Sequence, residues 1–232
     1  MIAKADTVYI NEVFVSVQGE GPLTGVPSLF VRFALCNLRC PWCDSKYTFK
    51  EYEAIHIDKL KKRLSSMLNY YAVKNIVFTG GEPLLQQKEL FLLIRWLRHY
   101  YLNRYTIEIE TNGTVMPMSE FERVENLYFN VSPKLQSANN RYIKNYDKTI
   151  DKFKGLNSIF KFVVGSQEDF IEALDFIKKY NIDKDKIWLM PLGVSVQELR
   201  NSANVVLDAS LQYGFKISGR LQICLWGNMR GR

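Results

Sequence analysis

Three cysteines, Cys36, Cys40 and Cys43, stand in the run Leu35-Cys36-Asn37-Leu38-Arg39-Cys40-Pro41-Trp42-Cys43-Asp44 with the spacing C-x3-C-x2-C. Three thiolates fill three corners of a site. A structural zinc site closes with four ligands, whereas a [4Fe-4S] cluster held by three thiolates keeps one iron open to a small molecule. The spacing leaves two alternatives: zinc completed by a distant residue, or thiols buried as small apolar groups. Cys224 is the only other cysteine, and His56 and His99 lie in unrelated settings, so a fourth zinc ligand has to come from far along the chain. Trp42, just before the third cysteine, can shield a cluster while its backbone faces a ligand.

Further motifs sit at the ends of apolar runs. Thr79-Gly80-Gly81-Glu82-Pro83 follows Ile76-Val77-Phe78 and delivers a tight turn with a carboxylate, where glycine lets backbone approach a ligand closely. In Glu108-Ile109-Glu110-Thr111-Asn112-Gly113-Thr114, strand alternation puts Glu108 and Glu110 on one face and turns Thr111 away. Ser132-Pro133-Lys134 and Leu189-Met190-Pro191-Leu192-Gly193 end two more runs. Singly these are an ordinary Asn-Gly turn, a surface lysine and a strand stopped by proline. Their succession points to loops converging on one ligand.

The elements that must carry these loops alternate. Val8–Val17, Ser28–Leu35, Asn75–Thr79, Tyr105–Glu110, Leu127–Val131, Ile159–Val164, Ile187–Met190 and Leu221–Leu225 are short β-branched or aromatic runs that predict strands. Between them lie helical periods: Leu60, Leu64 and Leu68; Leu90, Leu93, Ile94 and Leu97; Phe170, Ala173, Leu174 and Ile177. Ser166 with Asp169 and Ser195 with Glu198 predict helix starts, and Gly214 a helix end. The alternation predicts an α/β fold with a mostly parallel sheet, a partial barrel of about six strands with its chemistry at their carboxyl ends. Residues 136–157, rich in Asn, Lys and Tyr, read as an exposed insertion or lid, with Cys224 a buried strand residue.

Composition sets the outer bounds. At 232 residues, with 47% hydrophobic and 24% charged content, the chain can bury a full core as one domain over 1–232. Met1–Asp6 lacks a basic-then-apolar leader, and no apolar run approaches the roughly 18 residues that cross a bilayer, so a cytoplasmic protein without a membrane partner is expected. Three close cysteines and one loner make no disulfide framework, and thiolates serving a metal centre need a reducing compartment. The net charge of +7 comes from scattered lysines, without a nucleic-acid-binding fingerprint, so no nucleic acid is expected.

C-x3-C-x2-C followed by Asp44 resembles the cluster loop of the radical S-adenosylmethionine (SAM) superfamily, in which the amino and carboxylate groups of SAM chelate the free iron. Gly80-Gly81-Glu82-Pro83 resembles that superfamily's GGEP motif. The N-terminal run Ser16-Val17-Gln18-Gly19-Glu20-Gly21, continuing through Phe30-Val31-Arg32-Phe33 into the cysteine loop, is similar to the 7-carboxy-7-deazaguanine synthase family. The likeness extends from Phe14 to the tail Arg220–Gly227. It implies a compact, modified partial (β/α)6-type barrel. It also implies conversion of 6-carboxy-5,6,7,8-tetrahydropterin to 7-carboxy-7-deazaguanine and ammonia by radical ring contraction, feeding queuosine-type deazapurines. SAM acts there as a regenerated cofactor beside a [4Fe-4S] cluster and Mg2+.

Carried over motif by motif, the resemblance implies that Cys36, Cys40 and Cys43 hold the cluster, with loop 36–45 around it. Val17, Gln18, Gly19, Arg32, Thr79 and Glu110 line the substrate pocket, Arg32 suiting a carboxylate by its bidentate fork and Glu110 a pterin edge of N–H donors. Gly81, Glu82, Ser132, Pro133, Lys134, Met190, Pro191, Leu192 and Gly193 contact SAM together with Trp42 and Asp44. Ser45 replaces the usual threonine at the Mg2+ position; Leu192 stands where a polar residue is expected, and Gln222 where many relatives have histidine. Some relatives present a terminal carboxylate to the substrate, which makes Arg232 a candidate contact. Relatives are homodimers, and the electron comes from a donor such as flavodoxin or ferredoxin. A radical SAM activase of a glycyl-radical enzyme shares the cysteine loop without needing the Gln18–Gly21 strand end, and a zinc-dependent RNA-binding protein is the nonenzymatic alternative.

Overall fold

The structure is a computed structural model that describes residues 6–139 and 141–231. Strands β1 (Thr7–Val17), β2 (Pro27–Phe33), β3 (Glu53–His56), β4 (Asn75–Gly80), β5 (Thr106–Thr111), β6 (Leu127–Val131), β7 (Ser158–Val164), β8 (Ile187–Pro191) and β9 (Lys216–Ile217) form one sheet, ordered β3-β1-β2-β4-β5-β6-β7-β8-β9. β1 pairs antiparallel with β2 and β3, and every pairing from β2 to β9 is parallel. β2 and β4 to β8 are the parallel strands of a partial (β/α)6-type barrel.

Helices α1 (Ile57–Tyr70), α2 (Gln87–Tyr101), α3 (Tyr146–Gly155), α4 (Gln167–Lys179) and α5 (Val196–Tyr213) follow β3, β4, β6, β7 and β8 in turn. The β5–β6 crossover makes do with a 3-10 turn, Ser119–Arg123. The predicted helix signals act locally: Ser166 and Asp169 form a reciprocal capping box, the Ser195 side chain accepts from Glu198 N, and Gly214 takes φ 75° at the end of α5. Each helix turns its apolar stripe onto one face of the sheet, as Leu60, Leu64 and Leu68 of α1 and Leu90, Leu93, Ile94 and Leu97 of α2 do. Burying each such side chain is worth about 1.5–3 kcal/mol.

Strand alternation then leaves the other sheet face for chemistry. Register places Arg32 beside Thr79 and Glu110 beside Asn130, so residues of β2, β4, β5 and β6 share one row across the sheet. On β7 and β8, Lys161 stands beside Trp188 and Val163 beside Met190.

Three expectations need correction. Leu221–Leu225 is not a strand but part of helix α6 (Leu221–Trp226), in which Ile223 is the buried residue. The short β9 takes the sheet edge instead, and Leu221 N donates to Gly19 O at 2.9 Å, anchoring α6 over the end of β1. Cys224 is therefore exposed on a helix. Within 136–157, Tyr146–Gly155 is helix α3, packing Tyr146, Thr149, Ile150 and Phe153 into the interior at helical spacing. That stripe is hard to see between the lysines and aspartates of the opposite face. Among the described residues, no helix is long and apolar enough to cross a membrane.

Candidate active site

The carboxyl ends of the parallel strands and the loop after β2 surround an open cavity of about 460 Å³. At one end lie the three cysteine thiols, free of disulfides. Leu38 and Ala138 pack against them with Trp42 and Tyr142. Burial pushes the Cys36 thiol up to about 12 and raises Cys40 and Cys43 as well.

Glycine packing fixes this loop. A Cβ on Gly80 would stand 2.0 Å from Phe33 O, and one on Gly81 2.0 Å from Leu35 O. Backbone bonds use that closeness: Gly81 N donates to Phe33 O at 3.0 Å and Glu82 N to Leu35 O at 2.8 Å. The two glycines thus bring backbone against backbone, seating the cysteine loop on β4, where the sequence pointed to approach to a ligand. Leu35 itself takes φ 70°, a strained conformation for a residue with a side chain.

Glu82 completes the seam from beneath. Its carboxylate is 0% exposed and accepts from Asn112 N at 2.7 Å, Thr111 Oγ1 at 2.8 Å and Leu84 N at 3.0 Å. Burial raises it to about 7. Asn112 Nδ2 donates to Asn37 Oδ1 at 2.9 Å, and Asn37 Nδ2 donates to Thr114 Oγ1 at 2.7 Å. The Thr111–Thr114 turn, unremarkable by sequence, braces the cysteine loop.

At the cavity floor, Gln18 Nε2 donates to Glu108 Oε2 at 2.6 Å and to Glu110 Oε1 at 3.2 Å, and Thr79 Oγ1 donates to Glu110 Oε2 at 2.6 Å. Both carboxylates therefore lie on the interior face. Glu108 also accepts from Asn75 and Asn130 amides, and burial, then the charge of Glu110, push it up to about 7. On the neighbouring wall, Arg32 Nε donates to Glu12 Oε1 at 2.7 Å with its guanidinium carbon 5.6 Å from the Phe14 ring centre. Glu12 also accepts from Tyr47 and Arg230, which draws the tail Gly227–Gly231 along the same wall.

A charge network forms the remaining side. Glu20 Oε1 accepts from Arg220 Nε at 3.0 Å and from Gln222 Nε2 at 2.8 Å, while its other oxygen pairs with Lys161. Burial alone would raise Glu20; Lys161 and Arg220 overcome that and hold it well below the usual carboxylate range. Arg220 also pairs with Asp44 and donates to Gly193 O at 2.5 Å. Asp44 Oδ1 accepts from Ser45 Oγ at 2.9 Å. Lys134 Nζ donates to Ser132 Oγ at 2.5 Å and lies 5.5 Å from the Trp42 ring centre, its charge disfavoured by burial.

A family model described as the radical SAM superfamily matches residues 31–205. The chain is 33% identical over 231 residues to 7-carboxy-7-deazaguanine synthase of Pyrobaculum aerophilum, covering 97% of each chain. It is 31% identical to the synthase of Hyperthermus butylicus, across 92% of this chain and 91% of that one. The chain belongs to the 7-carboxy-7-deazaguanine synthase family. The crystal structure of QueE from Escherichia coli superposes with a TM-score of 0.70 and 25% identity, covering 93% and 94% of the two chains.

Membership of this synthase family makes the chain a radical SAM enzyme of deazapurine biosynthesis, using SAM and a [4Fe-4S] cluster. The residues present fit the cluster: three unbridged thiols line one end of the cavity behind an apolar shell, and Cys224 lies apart from that wall. Among the described residues, no three His, Cys, Asp or Glu side chains converge as a single ion requires.

Of the residues picked out by sequence, Val17, Gln18, Gly19, Arg32, Trp42, Asp44, Ser45, Thr79, Gly81, Glu110, Ser132, Lys134, Met190 and Leu192 line the cavity with the three cysteines. Glu82, Pro133, Pro191 and Gly193 are not among the lining residues. Arg232 lies outside the described residues. Sequence reasoning assigned no role to Glu20, Asn130, Lys161 or Arg220. A lysine between Phe160 and Phe162 in an apolar strand was a readable signal of an inward charge; Arg220 carried none.

Proposed function

We propose that the chain converts 6-carboxy-5,6,7,8-tetrahydropterin to 7-carboxy-7-deazaguanine and ammonia. The observation that carries this reading is one cavity that holds free thiols at one end and the Gln18–Glu110–Thr79 bonds beside Arg32 at the other. When bound, the cluster and SAM supply a carbon radical that abstracts hydrogen from the substrate. The chain's own residues position and select. Each Glu110 oxygen takes one protein donor and retains a lone pair for the N–H donors of a pterin edge. Glu12 holds Arg32 by Nε, leaving its terminal N–H groups for the substrate carboxylate. Apolar packing of Leu38, Ala138, Trp42 and Tyr142 shields the thiols on one side.

For SAM, the reading assigns Gly81, Ser132, Lys134, Met190 and Leu192 on the cavity wall with backbone at Trp42 and Asp44. Glu82, Pro133, Pro191 and Gly193 belong to the same loops. Ser45, with its hydroxyl on Asp44, is the proposed Mg2+ ligand. The whole chain acts as one radical SAM domain in the cytoplasm, as a homodimer, with a flavodoxin- or ferredoxin-type donor.

The test is anaerobic incubation of reconstituted protein with SAM, Mg2+, reductant and the carboxypterin, followed by mass analysis. Deazaguanine product is expected from the wild type. Cys40→Ala, soluble and folded, is expected to yield none. Product formation by that variant overturns the cluster assignment.

A further inference from the structure

We infer that Arg220 is a positioning residue that sets the metal-binding end of the substrate site against its pterin-binding end. The inference rests on the proposed function. Arg220 is 8% exposed, and each of its three guanidinium nitrogens holds a different segment. Nε donates to Glu20, just past β1; Nη2 pairs with Asp44 in the cysteine loop; Nη1 donates to the Gly193 carbonyl after β8.

Two of these bonds continue to residues that the proposed function assigns to Mg2+ and to the pterin. From Asp44 the path reaches the Ser45 hydroxyl at 2.9 Å. From Glu20 it returns along the backbone, because Glu20 N donates to Gln18 Oε1 at 3.2 Å while Gln18 Nε2 donates to Glu110. One planar fork therefore holds the anchors of both ends. Lys161 balances the second negative charge from β7, so the network carries two anions and two cations. A buried charge left without its partner is strongly destabilising, which ties the loops to one arrangement. Lysine supplies the same charge as a single point and cannot reach three divergent acceptors.

Arg220→Ala removes the cation from Asp44 and leaves Glu20 with Lys161 alone, and is the variant expected to fail to fold. Arg220→Lys is the informative one. Reconstituted R220K is expected to stay folded with a lowered melting temperature, assemble four irons, and show the same change in its cluster EPR signal when SAM is added. Its Kd for the carboxypterin and its half-saturating Mg2+ are expected to rise together, with coupled turnover falling by about 100-fold, the scale of a 1 Å misplacement. Release of 5'-deoxyadenosine per deazaguanine formed is expected to increase. Asp44→Asn should weaken Mg2+ response in the wild-type background and add little in R220K.

An R220K protein that binds pterin and Mg2+ like the wild type, or loses only melting temperature, overturns the inference and leaves Arg220 a stabilising ion pair. A wild type that makes no deazaguanine overturns the proposed function and this inference with it. Product from the wild type with undisturbed coupling in R220K overturns the inference alone.

Discussion

Glu82 and Glu20 flank the same cavity and are held in opposite ways. Glu82, beneath the cysteine loop, meets only neutral donors, two backbone amides and a hydroxyl, and burial pushes it up to about 7. Glu20, at the rim, lies between Lys161 and Arg220, which hold it far below the usual carboxylate range despite partial burial. Burial alone does not settle a carboxyl group's charge; the charge of its partners does. The seam under the cysteine loop is thus fixed by backbone closeness and neutral hydrogen bonds, whereas the substrate rim is fixed by ion pairs that tie separate loops together.

Substitutions can break this contrast, and the largest effect belongs to the seam. Gly81→Ala drives a Cβ to 2.0 Å from a backbone oxygen that has no flexible end to move. A loss exceeding about 4 kcal/mol is expected in urea unfolding, together with failure to load iron; a stable, iron-loaded G81A protein removes the backbone-contact argument.

At the rim, Glu20→Gln leaves buried Lys161 without its anion and Arg220 with Asp44 alone. The expected cost is about 3–5 kcal/mol, read by the same unfolding curves. Because the folded pKa of Glu20 is depressed, its contribution is fully present above the unfolded value of 4.5 and fades as pH falls toward strong acid. The variant should lose that acid sensitivity.

Glu82→Gln is the mildest change, about 1–3 kcal/mol for a buried acceptor replaced by an amide. Here the sign reverses. The folded pKa is raised from 4.5 to about 7, so the folded chain binds the extra proton between those values, and the stability present below 4.5 is lost as pH rises through about 7. Melting curves of E82Q across that window should be flatter than those of the wild type. An unchanged slope assigns the pH response to Glu108, which is also raised to about 7.

Much of this architecture was legible because its signals are local. Apolar strands ending in Gly80-Gly81-Glu82, Thr111-Asn112-Gly113 and Ser132-Pro133-Lys134 appear as read, and the caps at Ser166, Ser195 and Gly214 form where expected. Leu221–Leu225 misled because its alternating apolar residues mimic a strand, while the sheet edge it would have filled is taken by Lys216–Ile217. α3 was hidden because its stripe of Tyr146, Ile150 and Phe153 is diluted by charged neighbours. Lys161 and Glu20, 141 positions apart, pair only once the barrel closes.

By itself the sequence determined the chemistry available: three thiols at C-x3-C-x2-C, a Gly-Gly turn after a buried strand, and carboxylates at β5 on one alternating face. Those depend on spacing and side-chain type along a few consecutive residues. Only the tertiary structure decided which charges neutralise one another, since the Glu20, Asp44, Lys161 and Arg220 network joins segments up to 200 residues apart. A long-range ion pair exists by virtue of where the loops are brought together, and no local pattern encodes that distance.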